Sequence, residues 1–273
     1  MALVYPFHFF FNIRHIFVVL ACCFLWHGAP VLASEGGTIR LLSYHNHPPF
    51  VTGPEQGLSF DVARMLTAFA AGTWKFQVRI VPRNRLDLEL APWIQGRCLN
   101  SGGDPGCGDD WSLLWVNPAW GFGENAGENF LWLKQFEDSN IILSRTESPV
   151  DYQSPESLAG LRLGGIRGHR YLGLDPLVTA GKIQRVDGDH ERDNILKLLM
   201  KRVDVLLLPT STVRYFLTQD ATIRAAAGQI FVAPTRHQQF WRHFMIPSTR
   251  KDLEKVYGDW LATGAFPKGV GGE

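Results

Sequence analysis

The chain has 273 residues, 27 of them Lys or Arg and 26 Asp or Glu, with 45% hydrophobic side chains and four cysteines. So even a charge balance supplies no field for nucleic acid or an anionic membrane surface, and neither is expected as a partner. The length suits one large domain or two small ones.

Residues 1–33 read as an export signal. Arg14 is their only Lys or Arg, 16–26 is an uncharged apolar run, and Val31-Leu32-Ala33 precedes Ser34 like a small-residue cleavage site. The run is short for a membrane span of about 20 residues. A retained anchor is one alternative; a lipoprotein acylated at Cys22, in the loose lipobox Val19-Leu20-Ala21-Cys22, is another. Cleavage near Ala33 is expected, and removing Arg14 from the 27 basic residues leaves 26 against 26 acidic in a periplasmic mature chain.

Residues 38–43 read as a strand that runs into Tyr44-His45-Asn46-His47-Pro48-Pro49-Phe50, where two prolines hold the backbone extended. A helix then opens at Gly57-Leu58-Ser59-Phe60-Asp61, carries Val62, Met65, Leu66 and Phe69 at helical spacing and stops at Gly72. Trp74, Phe76, Val78 and Ile80 alternate with Lys75, Gln77 and Arg79, a period-two strand. Strand, helix and strand in succession imply a parallel pair with a right-handed crossover. Cys98 and Cys107 are the two cysteines left after cleavage, and in an oxidising compartment they are expected to form a disulfide. Two free buried thiols are the alternative, while their spacing lacks the close pairing of zinc motifs. The α/β pattern restarts with strands at 161–165 and 183–186, a helix at 193–201 and a strand at 203–208 that is apolar except for Asp204. A further helix begins at Thr210 or Ser211. Two separated α/β units predict two lobes.

Several segments, in order, resemble the family 3 extracellular solute-binding proteins. Phe50 and Phe60-Asp61 match the family's Y-P-P-F and G-F-D, with His47 in the tyrosine's place. Residues 157–165 are similar to its S-L-x-D-L-K-G-K-x-V-G, 202–208 to G-R-V-D-A-V-V, and 141–145 to V-L-L-V-R. The resemblance implies an α/β fold of the two-lobed, type 2 periplasmic binding protein kind. Each lobe would be a doubly wound, mostly parallel sheet, and two crossings would join them. Lobe one would be 34–136 plus 240–273 and lobe two 137–239, with a small-molecule solute trapped between them. It further implies a monomer without cofactor, read by an inner-membrane ABC permease or by a sensor.

The departures from the family matter as much. Its carboxylate-binding Arg, in a T-P-E-R motif, falls near Ala126, and no arginine occurs between Cys98 and Ile142. The family's amine-binding Asp falls at Pro209. With both halves of that clamp absent, a small polar or anionic solute is expected in place of an ordinary α-amino acid. Tyr44, His47 and Phe50 at the first strand's mouth are ligand candidates, as are Arg83 and Arg85 after the second strand. Trp115, Asn117 and Trp120 could stack on and orient a ligand. Arg167, His169 and Arg170, around Gly168, suit a carboxylate or phosphate. The alternatives are solvated arginines and core tryptophans. No third ligand accompanies the two histidines, so hydrogen bonding is expected of them and a metal is not. The sequence has no G-x-S-x-G elbow, H-E-x-x-H pair or phosphate loop, and binding without transformation is the expectation. The rivals are a dehydratase-like enzyme using His47 or His169, and a stand-alone sensory module.

Overall fold

The computed structural model describes residues 1–3, 36–99 and 106–267. The chain divides into two units, Met1–Glu35 and Gly36–Glu273, and the fold belongs to the second. The export-signal reading falls almost wholly outside the described residues.

Nine strands are present among the described residues: β1 Gly37–Ser43, β2 Trp74–Ile80, β3 Trp111–Val116, β4 Phe130–Arg145, β5 Arg162–Ile166, β6 Gln184–Gly188, β7 Val205–Pro209, β8 Ile230–Val232 and β9 Gln238–Pro247. They follow the order β2-β1-β3-β9-β4-β7-β5-β6, with β8 paired to β4. On one flank β1 runs parallel to both β2 and β3, and on the other β5 runs parallel to both β6 and β7. The middle is antiparallel, β9 pairing with β3 and β4 and β4 pairing with β7. The expectation of mostly parallel sheets therefore holds for the two flanks. What joins them is a long β4–β9 ladder, running from Phe130 opposite Pro247 to Asn140 opposite Gln238. Phe136 and Phe240, near which the two crossings are expected, both lie within this ladder.

Helices cover both faces, as a doubly wound sheet requires. The principal ones are α1 Leu58–Phe69, α2 Arg83–Glu89, α3 Glu191–Leu199, α4 Thr210–Gln219 and α5 Lys251–Ala262. Leu58, Val62, Ala63 and Leu66 give α1 one buried stripe, which packs with Ile39 and Leu41 of β1 and with Leu253, Tyr257 and Trp260 of α5. Leu42, the next residue of β1, turns to the other face among Leu86, Trp93 and Trp111. Strand β7 divides the same way: Leu206 and Leu208 pack against Ile195, Val213 and Phe216, while Val205 and Leu207 pack against Leu163, Tyr171 and Leu174. A strand buried on both faces reads as an unbroken apolar run, which is how 205–208 looks in the sequence. Gly57 opens α1 with φ 107°, and a Cβ there would lie 2.8 Å from the Phe50 carbonyl oxygen, so glycine is required at this turn. Cys98 and Cys107 are disulfide-bonded, with Cα atoms 5.2 Å apart.

Candidate functional site

The chain leaves β1 at Tyr44, β2 at Arg83, β5 at His169 and β6 at Glu191, so the carboxyl ends of parallel strands from both flanks open on one cavity. Its volume is about 390 Å³. Tyr44, His45, His47, Arg83 and Trp120 line it from the first flank, Asn140, His169, Tyr171, Glu191 and Leu208 from the second, and Arg242 of β9 closes the middle.

Arg242 and Asp138 face each other across the β4–β9 ladder with both side chains fully buried, and Arg242 Nε donates to Asp138 Oδ2 at 2.9 Å. The carboxylate is otherwise satisfied by the Ser139 amide (2.9 Å), the Ser211 amide (3.2 Å) and the Ser211 hydroxyl (2.7 Å). This acid thus ties β4 and β9 to the start of α4. Arg242 Nη1 donates to the Trp115 carbonyl oxygen at 2.9 Å, and the guanidinium carbon lies 4.6 Å from the centre of Phe50, 5.3 Å from Phe240 and 5.7 Å from Trp120. An aromatic collar of this kind stabilises a cation withdrawn from water. Nη2 has no hydrogen-bond partner among the described residues.

Beside Arg242 stand two buried histidines. His45 Nε2 is 3.5 Å from Arg242 Nη1, and His45 Nδ1 is 3.3 Å from His47 Nε2. His47 Nδ1 lies 2.9 Å from the Pro48 carbonyl oxygen and 3.2 Å from Thr212 Oγ1. Its Nε2 is 3.5 Å from Glu191 Oε1. Burial disfavours charge on both rings: His45 is held well below its ordinary value, with Arg242 pushing the same way, and His47 is lowered to about 4. His169 is lowered to about 4 by burial, with the Glu191 charge pulling the other way. Glu191, the first residue of α3, is pushed up to about 7 by burial, which outweighs its own helix-terminal amide. The Tyr44 phenol is raised by burial, against the lowering influence of Arg83.

Of the residues singled out in the sequence, Tyr44, His47, Arg83, Trp120, His169 and Arg170 meet at this cavity. Arg83 is largely engaged within the protein: Nε donates to Asp87 at 2.7 Å and Nη2 to the Trp120 carbonyl oxygen at 2.9 Å. Arg170, 3.9 Å from the same Asp87, is mostly exposed. The other five lie elsewhere. Phe50 and Trp115 are fully buried in the core, where the Trp115 indole donates to Ser59 Oγ at 2.8 Å. The indole points there because Trp115 has a positive φ of 67° at an irregularity in the β3–β9 pairing. Asn117 is spent on a turn, holding the Ala119 amide and the Trp241 carbonyl. Arg85 lies on the outer side of α2 paired with Glu89 at 3.0 Å, because the segment after β2 is a helix that sends positions 83 and 85 in different directions. Arg167 is solvated and pairs with Asp189 at 3.1 Å. Among the described residues no group of three His, Cys, Asp or Glu side chains is placed to hold a metal ion.

Neither a protein-family model nor a curated protein matches the sequence. Solved structures match its shape. A mutant of ArgBP from T. maritima is 14% identical at a TM-score of 0.58, over 83% of this chain and 89% of that one. An ancestral arginine-binding protein bound to arginine is 13% identical at 0.57, over 84% and 92%. The GluR0 ligand-binding core from Nostoc punctiforme, in complex with L-glutamate, is 12% identical at 0.54, over 84% and 92%. The fold is that of a two-lobed periplasmic binding protein, type 2.

Two cavity residues of this binding-protein fold, Arg242 and Glu191, and the Asp138 behind Arg242 escape a reading of the sequence for ligand groups. Arg242 lies among the aromatic residues of Phe240-Trp241-Arg242-His243-Phe244, whereas Asp138 lies in the polar stretch Phe136-Glu137-Asp138-Ser139, where nothing adjacent marks it as buried. A lone charge at a core position is costly unless paired, so Arg242 implies an acidic partner. Glu191 looks like an ordinary acidic residue in a helix's first turn. Only its burial against His47 sets it apart.

Proposed function

We propose that this protein is an exported solute-binding protein that closes on a small polar or anionic solute and releases it unchanged to a membrane transporter or sensor. Lobe one is assigned to 34–136 with 240–273 and lobe two to 137–239, with β4 and β9 as the connecting strands. The observation that carries the reading is the cavity, walled by both flanks at the carboxyl ends of their parallel strands. Contacts across it, His47 to Thr212 at 3.2 Å and Arg170 to Asp87 at 3.9 Å, describe a closed arrangement. A ligand touching both walls favours that form by its differential affinity.

The test is native mass spectrometry of exported protein, followed by a thermal-shift panel of carboxylates, inorganic oxyanions, sugars and amino acids. One chemical class is expected to raise the unfolding midpoint; a hundredfold excess over Kd contributes about 2.7 kcal/mol. The bound compound should be unaltered by NMR after prolonged incubation. A panel in which nothing shifts the midpoint refutes the binding role, and turnover of the ligand refutes the receptor in favour of an enzyme.

A further inference from the structure

The buried chain Arg242–His45–His47–Glu191 has a fixed direction. A carbonyl oxygen only accepts, so the 2.9 Å contact with Pro48 places the His47 hydrogen on Nδ1 and leaves Nε2 bare. His45, 3.3 Å away, must then donate from Nδ1 to that bare nitrogen, which leaves its own Nε2 to accept from Arg242, a residue that can only donate. Each contact demands the next. At the far end, Glu191 Oε1 faces the His47 Nε2 lone pair at 3.5 Å. An ionised carboxylate there would set its negative charge against a nitrogen that carries no hydrogen, in a buried site, whereas a protonated one removes that conflict. The single Nε2 lone pair is already taken by the His45 Nδ1–H, so the Glu191 O–H is not consumed by His47 and remains free to turn to a ligand.

The surroundings of Glu191 agree. His47 comes from the loop after β1, His169 and Tyr171 from the loop after β5, and His190 from the residue before α3. Burial keeps His47 and His169 neutral, so neither supplies a counter-cation. Strands β4 and β7 bring Asn140, Leu207, Leu208 and Pro209, none of which titrates, and β6 brings Asp187, already held by Arg185 at 2.6 Å. Asp175, the cavity's other carboxylate, accepts from the Tyr171 amide at 2.9 Å and lies 3.4 Å from Arg185. At the opposite wall Arg83 and Arg170 share the carboxylate of Asp87, leaving positive charge in excess, while Arg242 Nη2 is buried without a partner among the described residues.

We propose that Glu191 is a protonated hydrogen-bond donor in the ligand cavity, and that the solute is a small carboxylate rich in acceptor oxygens and lacking an ammonium group. Arg242 Nη2 and the Glu191 hydroxyl provide donors at the two ends of the histidine pair, and the Arg83–Asp87–Arg170 cluster provides the countercharge. A ligand ammonium finds only neutral imidazoles and occupied acids. Because Glu191 must hold its proton, binding above its pKa takes one up from solution.

This rests on the cavity being the solute site, and the test separates the two ideas. L-Malate and L-aspartate differ in a hydroxyl against an ammonium on the same dicarboxylate frame, and malate does not titrate between pH 6 and 8. Calorimetry on the full mature chain, in two buffers of different ionisation heat, is expected to show malate binding at least about tenfold tighter than aspartate. Malate affinity should fall about tenfold from pH 6 to pH 8, with proton uptake at the higher pH. Glu191→Gln, whose amide donates at every pH, should bind malate with that dependence gone. Aspartate equalling malate, or malate affinity flat or rising with pH in the unsubstituted protein, overturns the proposal. So does a panel in which amino acids or sugars bind and malate does not, which leaves the receptor reading standing. If no compound of any class binds, the receptor reading falls and this one with it.

Discussion

Replacing Arg242 by methionine is the sharpest single perturbation this fold offers. The side chain is fully buried, as is its partner Asp138, and the bond between them is 2.9 Å. Methionine fills much of the same volume among Phe50, Trp120 and Phe240 but leaves a carboxylate away from water without its cation. Breaking a buried pair on one side costs about 3–5 kcal/mol. Asp138 keeps its bonds from Ser139 and Ser211, so the lower end, about 3 kcal/mol, is expected. For a domain of this size that corresponds to about 6–12 °C in Tm. Asp138→Leu should cost at least as much, since it strands a guanidinium that then has the Trp115 carbonyl, the His45 ring and an aromatic collar but no counter-charge. The double variant leaves no unpaired charge and should recover most of either loss, with a coupling energy above about 1.5 kcal/mol. Urea unfolding followed by tryptophan fluorescence gives all four corners of the cycle. An Arg242→Met loss below about 1 kcal/mol, or an additive double variant, would refute the reading of this pair as a dry, interdependent junction.

Acid should unfold the protein through its cavity histidines. The unfolded chain protonates His47 near its ordinary 6.5, whereas burial delays the folded ring to about 4. The stability that His47 holds is therefore complete above pH 6.5, falls as pH descends and reaches its floor near pH 4, a loss of about 3 kcal/mol, while Glu191, raised to about 7 in the folded protein, contributes the opposite change over the same window. The readout is therefore the difference in Tm profile from pH 6.5 to 4.5 between the protein and His47→Asn, and a profile unchanged by that substitution would contradict it. Reducing the Cys98–Cys107 bond should cost about 2–3 kcal/mol by returning loop-closure entropy to the unfolded chain, read as a lowered urea midpoint in reductant and absent from the Cys98→Ser/Cys107→Ser variant.

Local periodicity carried most of the architecture. The alternation over Trp74–Ile80, the helical stripe of Val62 and Leu66, and the unbroken apolar run before Pro209 each depend on a face's neighbours being water or core, which neighbouring residues encode directly. Boundaries moved by a residue or two, as with the helix expected at 193–201 and found at Glu191–Leu199. That shift had a consequence, because it put Glu191 at the first helical position and into the cavity. The ligand candidates fared unevenly for a related reason. Strand ends can be read from sequence, so Tyr44, His47, Arg83, Trp120, His169 and Arg170 lie where strand ends converge. The direction of a side chain after the strand depends on the turn that follows. The helix at Arg83 and the positive φ at Trp115 sent Arg85 and the Trp115 indole away from the cavity.

The amino-acid sequence by itself determined the strand and helix pattern, the doubly wound flanks and the pairing of the two cysteines, because each of these is written in residues close along the chain. Tertiary structure alone decided that Asp138 meets Arg242 across 104 positions of sequence, that this pair replaces solvent at the junction of the two flanks, and that His45 and His47 connect it to Glu191. A charged side chain's protonation and partner are set by what removes its water, and at this site that is packing from strands far apart in sequence.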